Sequence, residues 1–349
     1  MKINLWRKLI RSNFFIKLLH WEYWPFGIVQ FPFILYWLYL SLKARSIVFF
    51  SLSNPGIPMG GMFGESKFDI LEKIPSSLKP KSVFIQLPTS TEEVVNALNR
   101  NGYQFPVIFK PDLGERGFMV KRIDSENDIT EYLKKIKINF IVQELIDLPL
   151  EFGVFYRRYP NEKFGEVTSI VMKEMLSVEG DGTKTLEELI LEKDRAKLQL
   201  KTLSRTFSNQ WNSVPAKGEK IELVSIGNHC LGTKFIDGCD LINPTLNISF
   251  DKISKQIEGF YFGRFDLRCN TLADLENGVV KIMELNGCGA EPSHIYHPGF
   301  PLSKAMSVMY RHWNDMYRVS IENKKKGLQY ISIKESHKLY KNFKNATLA

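Results

Sequence analysis

Cysteine is scarce here and poorly spaced for metal or redox work. Cys230, Cys239, Cys269 and Cys288 are the only four in 349 residues, and no two form a CxxC or zinc-ligand pattern. A reduced, cytosol-facing protein follows. Internal repeats and low-complexity tracts are missing too, as are the GK[ST] of a Walker loop and any nucleic-acid recognition motif. No small-residue cleavage site follows the N-terminal apolar run, which excludes an ordinary signal peptide. Acidic residues are sparse at both ends. Residues 1–53 carry seven Lys/Arg against Glu22, and 301–349 carry ten against Asp315, Glu322 and Glu335. Of the net charge of +9, the stretch 54–300 therefore holds −4. Two cationic ends on an acidic middle fit an anionic membrane surface better than a nucleic-acid groove, and no nucleic-acid partner is expected.

What is present is a globular composition, 44% hydrophobic and 24% charged, long enough for a sizeable core in two or three units. Residues 2–20 read as an amphipathic helix, with Leu5, Trp6, Leu9, Ile10, Phe14, Leu18 and Leu19 on one face and Lys2, Arg7, Lys8, Arg11 and Lys17 around the rest. The aromatic cluster Trp21, Tyr23, Trp24 precedes a 17-residue apolar run, Phe26–Leu42, at the lower limit for a spanning helix. A single span with its positive end inside would place the rest of the chain outside the cytosol. Pro32 and the basic flanks favour a kinked, re-entrant or in-plane anchor on the cytoplasmic side of the membrane. Residues 51–80, rich in Gly, Pro and Ser, read as loop with a short helix at Lys67–Lys73, and Thr89–Asn99 as a capped helix.

Phe105–Lys110 is a strand ending in lysine. The turn Gly114-Glu115-Arg116-Gly117 and a second strand, Phe118–Arg122, follow. Such a flap can lie over phosphates through its amide N–H groups, with Lys110 as a point charge. Asn127–Lys137 reads as helix, and Phe140–Glu144, Phe152–Arg157, Glu166–Met175 and Ile221–Val224 as strands. Thr185–Lys193 is a capped helix and Gly227–Asp237 a polar loop able to meet a substrate. Leu302–Asn323 is a closing helix before a basic tail, and His294 and His297 sit in the loop 288–300.

The densest chemistry lies in Phe262–Gly287, FGRFDLRCNTLADLENGVVKIMELNG. Strands Phe262–Arg268 and Val279–Leu285 form a hairpin, which brings Asp266, Glu284 and Asn286 together at one spot. Three oxygen-bearing side chains suit a hard cation such as Mg²⁺. Arg264, two residues from Asp266, shares its sheet face and is placed to hold a developing anion.

Together these segments resemble the ATP-grasp superfamily of carboxylate–amine ligases from about Lys67 to His297, roughly two thirds of the chain. FPVIFKPDLGERGFMVKRI resembles its first strand, flap and second strand; VQELID with EFGVF its adenine hinge and ribose site; GRFDLR…IMELNG its metal-binding strands. GESKFDILEKI and the hairpin resemble D-alanine–D-alanine ligases. VEGDGTKTLEELI and VPAKGEKIELVSIGNHCLGTKFID resemble the cyanophycin-synthetase and bifunctional glutathione-synthetase branch. The resemblance implies an α/β (α+β) fold in which two subdomains clasp ATP. It assigns 105–300 to this domain, after a membrane-associated segment (1–50) and a truncated preceding region (51–104), with a C-terminal helix and tail (301–349).

By the same resemblance, Lys67, Lys110 and Lys173 contact phosphates and Gly114 and Gly117 belong to the flap. The backbone of Glu144 and Leu145 reads adenine, and Glu151 holds the ribose. Asp266, Glu284 and Asn286 bind two Mg²⁺ ions, with Mn²⁺ as a substitute and Glu284 bridging, while Arg264 and Lys110 act in catalysis. An ADP-forming ligase is implied, joining an activated carboxylate to an amine. The partners are ATP and small-molecule or lipid-linked substrates, the latter because the usual preceding substrate domain has too little chain and a membrane segment stands in its place. A phosphotransferase and a non-catalytic nucleotide-binding module on the same fold are the alternatives.

Overall fold

The computed structural model describes residues 12–114, 117–224, 227 and 229–348. Of the helix expected at 2–20, residues 2–11 lie outside that set; so do Glu115 and Arg116 of the flap. Helix α1 spans Asn13–Leu19, with the Ser12 hydroxyl capping Phe15 N. After a tight turn at Trp21–Tyr23, α2 (Phe26–Ala44) runs unbroken through Pro32 and stops at Arg45, which is left-handed at φ 53°.

The segment expected to be loop at 51–80 is irregular, but it is not a surface loop. Ser53 and Asn54 are fully buried. Asn54 supplies the hydrogen bonds that regular structure would otherwise provide. Its Nδ2 donates to the carbonyls of Gly60 (2.8 Å) and Phe262 (2.7 Å), and its Oδ1 accepts from the amides of Tyr261 and Phe262 (2.9 Å each). Further on, Cys288 N and Gly289 N donate to Gly60 and Gly61 carbonyls. Gly61 sits at φ +75°, and a Cβ there would lie 2.6 Å from Gly287 Cα, so two glycines permit this backbone contact.

A four-stranded antiparallel sheet follows α3 (Lys67–Glu72). Its elements are β1 (Ser82–Ile85), α4 (Thr91–Arg100), β2 (Val107–Pro111), β3 (Lys121–Ile123), α5 (Glu126–Leu133) and β4 (Phe140–Glu144), in strand order β1-β4-β2-β3. Ser90 and Glu93 form a capping box on α4. Val94, Val107, Phe109, Ile129 and Phe140 fill the core between helices and sheet. The strand expected at Phe118–Arg122 is corrected: Gly117 and Met119 have positive φ, a turn occupies 117–119, and β3 begins only at Lys121.

The second region is larger. It draws on β5 (Leu150–Arg157), β6 (Glu166–Glu174), β7 (Ser177–Glu179), α6 (Leu186–Glu192), α7 (Asp194–Lys197), α8 (Leu200–Thr206), β8 (Lys220–Glu222), β9 (Lys234–Asp237), α9 (Pro244–Lys255), β10 (Phe262–Cys269), α10 (Leu272–Glu276) and β11 (Lys281–Asn286). Five strands pair in the order β11-β10-β5-β6-β9, while β7 and β8 form a separate ribbon against α6–α8. The polar loop expected over Gly227–Asp237 thus ends in a strand, because Phe235 is buried and pairs with Lys173 of β6.

Helices α11 (Leu302–Lys325) and α12 (Ile333–Leu348) complete the chain, so the basic tail is largely helical. Leu40 and Ala44 of α2 share one core with Phe155 of β5, Phe262 of β10 and Met316 and Val319 of α11. The whole is a mixed α/β fold with antiparallel sheets.

Candidate active site

Alternation along a strand sends every second side chain to one face. On β10 this parity collects Arg264, Asp266 and Arg268 beside the matching residues of β5 and β11. Asp266 pairs with Glu284 and Arg264 with Asn286 across the hairpin. Asp266 is buried and carries four partners: Arg264 Nε (3.2 Å) and Nη2 (3.0 Å), Lys173 Nζ (3.1 Å) and Asn286 Nδ2 (2.8 Å). Burial alone would raise its pKa, but the Arg264 and Lys173 cations overcome that and hold the carboxyl below its ordinary range.

Lys173 reaches in from β6 and bridges Asp266 to Glu151 Oε1, each at 3.1 Å. Burial works against its charge, yet the two carboxylates together raise its pKa. Glycine 153 stands opposite Asp266 on β5, where a Cβ would come within 3.1 Å of Arg264 Cδ and 2.9 Å of Val171. The array needs that gap.

Register shifts in β11 after Glu284, so that Leu267 faces Ile282 and Met283 is left as a bulge. The bulge presents the Met283 carbonyl toward the first sheet. Lys110, at the end of β2, donates to it at 3.0 Å and to Gln143 Oε1 at 3.2 Å, tying the two sheets together. Lys110 is 6% exposed, and burial, reinforced by the neighbouring Lys67 cation, pulls its pKa from 10.5 to about 8 against the attraction of Glu284. Lys67 is set in place by its cap. Ser66 Oγ donates to Asp112 Oδ1 (2.9 Å), Phe68 N donates to the same oxygen (3.0 Å), and Lys67 Nζ donates to the Gly114 carbonyl at the base of the flap.

Lys67, Lys110, Lys173, Glu151, Arg264, Asp266 and Asn286 are thereby linked through direct contacts or mutual electrostatics, and Glu284, half-buried, acts on both Lys110 and Arg264. Glu144 is apart from them. It is exposed at the end of β4, and its Oε2 accepts from Lys81 N at 3.2 Å. Leu145 begins the strandless link to β5, Gly114 lies beside Lys67, and Gly117 opens the turn before β3.

Four residues escaped the sequence reading. Arg268 grips Glu151 Oε2 through Nε (2.9 Å) and Nη2 (2.8 Å) and donates through Nη1 to the carbonyl of Ile146 (3.1 Å), which fixes the link after Glu144. Its parity with Arg264 and Asp266 was the available signal. Asp112 and Gln143 anchor the two lysines. Ser293 accepts from Arg264 Nη1 at 2.8 Å, beside the Glu291 carbonyl at 3.2 Å. The two histidines of that loop are structural: His294 Nδ1 lies 2.6 Å from the buried Ser169 hydroxyl, and His297 Nδ1 accepts from Asp237 N.

Among the described residues no three His, Cys, Asp or Glu side chains cluster at metal-binding distances. Asp266, Glu284 and Asn286 nevertheless combine carboxylate and amide oxygens on one face, the donor chemistry a hard divalent cation takes.

No family model matches the chain. It is similar to the glutathione biosynthesis bifunctional protein GshAB of Clostridium perfringens, 27% identical over 174 residues that take in 45% of this chain and 22% of that protein. Among solved structures it is similar to a bifunctional glutathione synthetase from Pasteurella multocida, at 17% identity over 71% of this chain and 36% of that one, TM-score 0.35. It is also similar to the VanG D-Ala:D-Ser ligase of Enterococcus faecalis, at 14% identity over 75% of this chain and 64% of the other, TM-score 0.43. The D-alanine–D-alanine ligase of Bacillus anthracis gives 12% identity, 78% and 72% coverage and a TM-score of 0.41. The chain spans about a fifth of the curated relative's length and about a third of the Pasteurella synthetase's.

Proposed function

We infer that this protein is an ATP-grasp ligase that activates a carboxylate as its acyl phosphate and joins it to an amine. It acts at the cytoplasmic surface of a membrane, with a lipid-linked carboxylate or amine among its substrates. One observation carries the reading: Lys110 crosses from one sheet to the bulge of β11, beside an Arg264–Asp266–Lys173–Glu151 array faced by Glu284 and Asn286. Lys67 and Lys110 on the first sheet's side, set against Asp266 and Glu284 of the second sheet, suit a nucleotide triphosphate and its cation.

A carboxylate is a poor electrophile, since its charge repels nucleophiles and it lacks a leaving group. In the first step a substrate carboxylate oxygen bonds to the γ-phosphorus, the β–γ bridging P–O bond breaks, and ADP departs. Lys67 and Lys110 neutralise charge on the phosphoryl oxygens. In the second step the amine nitrogen bonds to the acyl carbon, the carbon–phosphate bond breaks, and phosphate leaves with the amine proton passing to solvent. Arg264, held by Asp266 and Ser293, stabilises the oxyanion between these events. Asp266, Glu284 and Asn286 would hold Mg²⁺, which when bound supplies further charge neutralisation at the transferred group. Glu151 and the link after Glu144, both gripped by Arg268, serve the ribose and adenine.

Hydroxylamine traps acyl phosphates as hydroxamates, so full-length protein incubated with Mg²⁺, ATP, hydroxylamine and a panel of amino acids, peptides and fatty acids tests the reading. ADP and hydroxamate should rise together with one carboxylate class, and Glu284→Gln should lower both by roughly 10²–10³-fold. ADP formation with a stable phosphoester and no hydroxamate would assign a phosphotransferase instead. Turnover unchanged in the variant would remove Glu284 from the site.

A further inference from the structure

Helix α2 has two faces of different character. Phe33, Leu40 and Ala44 are buried, and the helix lies along α11: Phe33 and Tyr36 rings meet Tyr310 at 5.0 and 4.9 Å, and Tyr36 Oη donates to Asn314 Oδ1 at 2.7 Å. The opposite face carries Ile28, Phe31, Ile34, Leu35, Leu38 and Leu42, exposed by 44% to 79%. Phe14, Leu18 and Leu19 of α1 extend the exposed apolar surface. Gly27–Ala44 is the one helix among the described residues long and apolar enough to cross a membrane.

Its packing decides the orientation. A spanning helix meets lipid all round, whereas α2 is docked along α11, which itself belongs to the protein's core. His312 of α11 packs its ring on Phe155 and Phe262 at 5.1 and 4.9 Å, and Asp315 pairs with Arg157 at 3.0 Å. That helix cannot follow α2 into hydrocarbon without burying Arg311, Asp315 and Arg318 there. Only one side of α2 is left for lipid.

Charge decides the occupant. The heptad-like spacing of Ile28, Phe31, Leu35, Leu38 and Leu42 would also suit a second copy, but such seams are flanked by charged residues that select the partner. No charged residue occurs between Phe26 and Leu42. Cations gather instead at the ends: Lys17 before, Lys43 and Arg45 after, with Lys2, Arg7, Lys8 and Arg11 further upstream in the sequence. That distribution complements anionic headgroups around an apolar insertion.

We propose that α2 lies flat in the headgroup boundary of an anionic bilayer, inserting its outer face while its inner face stays on the protein. Gln30 of this helix donates to Glu291 Oε1, and the Glu291 carbonyl accepts from Arg264. The arginine of the site is therefore two hydrogen bonds from the lipid-facing helix, and the substrate it serves is reached from the membrane surface. This last point deepens the ligase reading and rests on it; the surface binding does not.

The test uses full-length protein and vesicles of phosphatidylcholine, alone or mixed with phosphatidylglycerol. Binding should be stronger to the mixed vesicles. Phe31→Ser, Leu35→Ser, Leu38→Ser and Leu42→Ser combined should weaken it by about a hundredfold or more while leaving the circular dichroism unchanged, because all four side chains are exposed. Fluorophores on Ile28→Cys, Leu35→Cys and Leu42→Cys should all be quenched by spin labels near the headgroup and none by labels at chain ends. Leu35 quenched at the bilayer centre with both ends shallow would mean a span and overturn the proposal. So would undiminished vesicle binding by the serine variant, or wild-type dimers that the variant abolishes in the absence of lipid. Glu284→Gln should bind vesicles like the wild type. Vesicle binding by a protein that forms no hydroxamate would sink the ligase reading alone.

Discussion

Lys110 is a buried cation that the protein without nucleotide holds at a loss, and its removal makes a prediction with a change of sign. Its pKa falls from 10.5 to about 8, chiefly because burial strips water from the ammonium. At ~1.36 kcal/mol per decade the folded state carries a penalty of about 3 kcal/mol when both states are protonated. The penalty is fully present below pH 8, and it is relieved between about 8 and 10.5, where the unfolded chain still binds the proton and the folded one has lost it. Lys110→Met removes the penalty but leaves Gln143 Oε1 without its donor and the Met283 carbonyl with Gln143 Nε2 alone at 3.4 Å, a loss of about 2 kcal/mol in all. At pH 7 the variant should therefore be more stable by about 1 kcal/mol, and by pH 9.5 the wild type should have recovered about 2 kcal/mol relative to it, reversing the order. Urea unfolding of both proteins at a series of pH values measures the difference, in which other titrating groups cancel. Mg²⁺ with ATP should stabilise the wild type, by supplying phosphate charge to the lysine, and stabilise the variant far less. Parallel stability–pH curves, or a variant less stable at pH 7, would refute the idea that Lys110 is held charged for an anion yet to arrive.

Arg268→Leu should act on nucleotide binding rather than on chemistry. It removes the partner of Glu151 Oε2 and a donor to the Ile146 carbonyl while Lys173 still holds Oε1, so KM for ATP should rise by about tenfold or more with kcat much less affected, and Arg268→Lys should recover part of the loss. Equal falls in kcat and kcat/KM would place Arg268 in the reaction itself. Asn54→Ala should lower stability by about 3 kcal/mol, since the Tyr261 and Phe262 amides and the Phe262 carbonyl lose this partner and the Gly60 carbonyl keeps only Cys288 N; thermal unfolding reads this directly, and a loss under 1 kcal/mol would mean that water replaces the amide.

The hairpin at Phe262–Gly287 was legible because its chemistry follows strand parity. Arg264 and Asp266 on one strand, and Glu284 and Asn286 on the other, can share a face only in a pairing close to that observed, Asp266 opposite Glu284. The same rule pointed at Arg268, which is one more step along the face, but an arginine beside a cysteine carries no motif of its own. Glu151 shows the opposite limit. Its place at the start of β5 was readable, whereas its grip by Lys173 and Arg268 depends on β5, β6 and β10 lying side by side, an order that separations of ten to a hundred residues do not reveal. The bulge at Met283 was invisible for a related reason. Nothing in KIMELN marks an extra residue until β10 is laid against it.

Composition misled most where a side chain does the work of a backbone. The Gly-, Pro- and Ser-rich stretch after residue 51 has the make-up of a surface loop, and a loop without ladder partners normally stays in water. Asn54 removes that restriction by pairing four main-chain groups at once, and Gly61 and Gly287 let the two backbones touch, so an irregular segment becomes part of the core beneath β10. The apolar run of α2 poses the complementary problem. Hydropathy counts apolar side chains without asking which direction they face, so one 19-residue helix can satisfy a protein core and a lipid surface together. Phe33 and Leu40 are buried in the protein, and Leu35 and Leu42 are exposed on the other face. If α2 binds a membrane as proposed, a helix free on all sides would only tether the protein, whereas one fixed along α11 and bonded through Gln30 to the Arg264 loop would set the orientation of the candidate site relative to that surface.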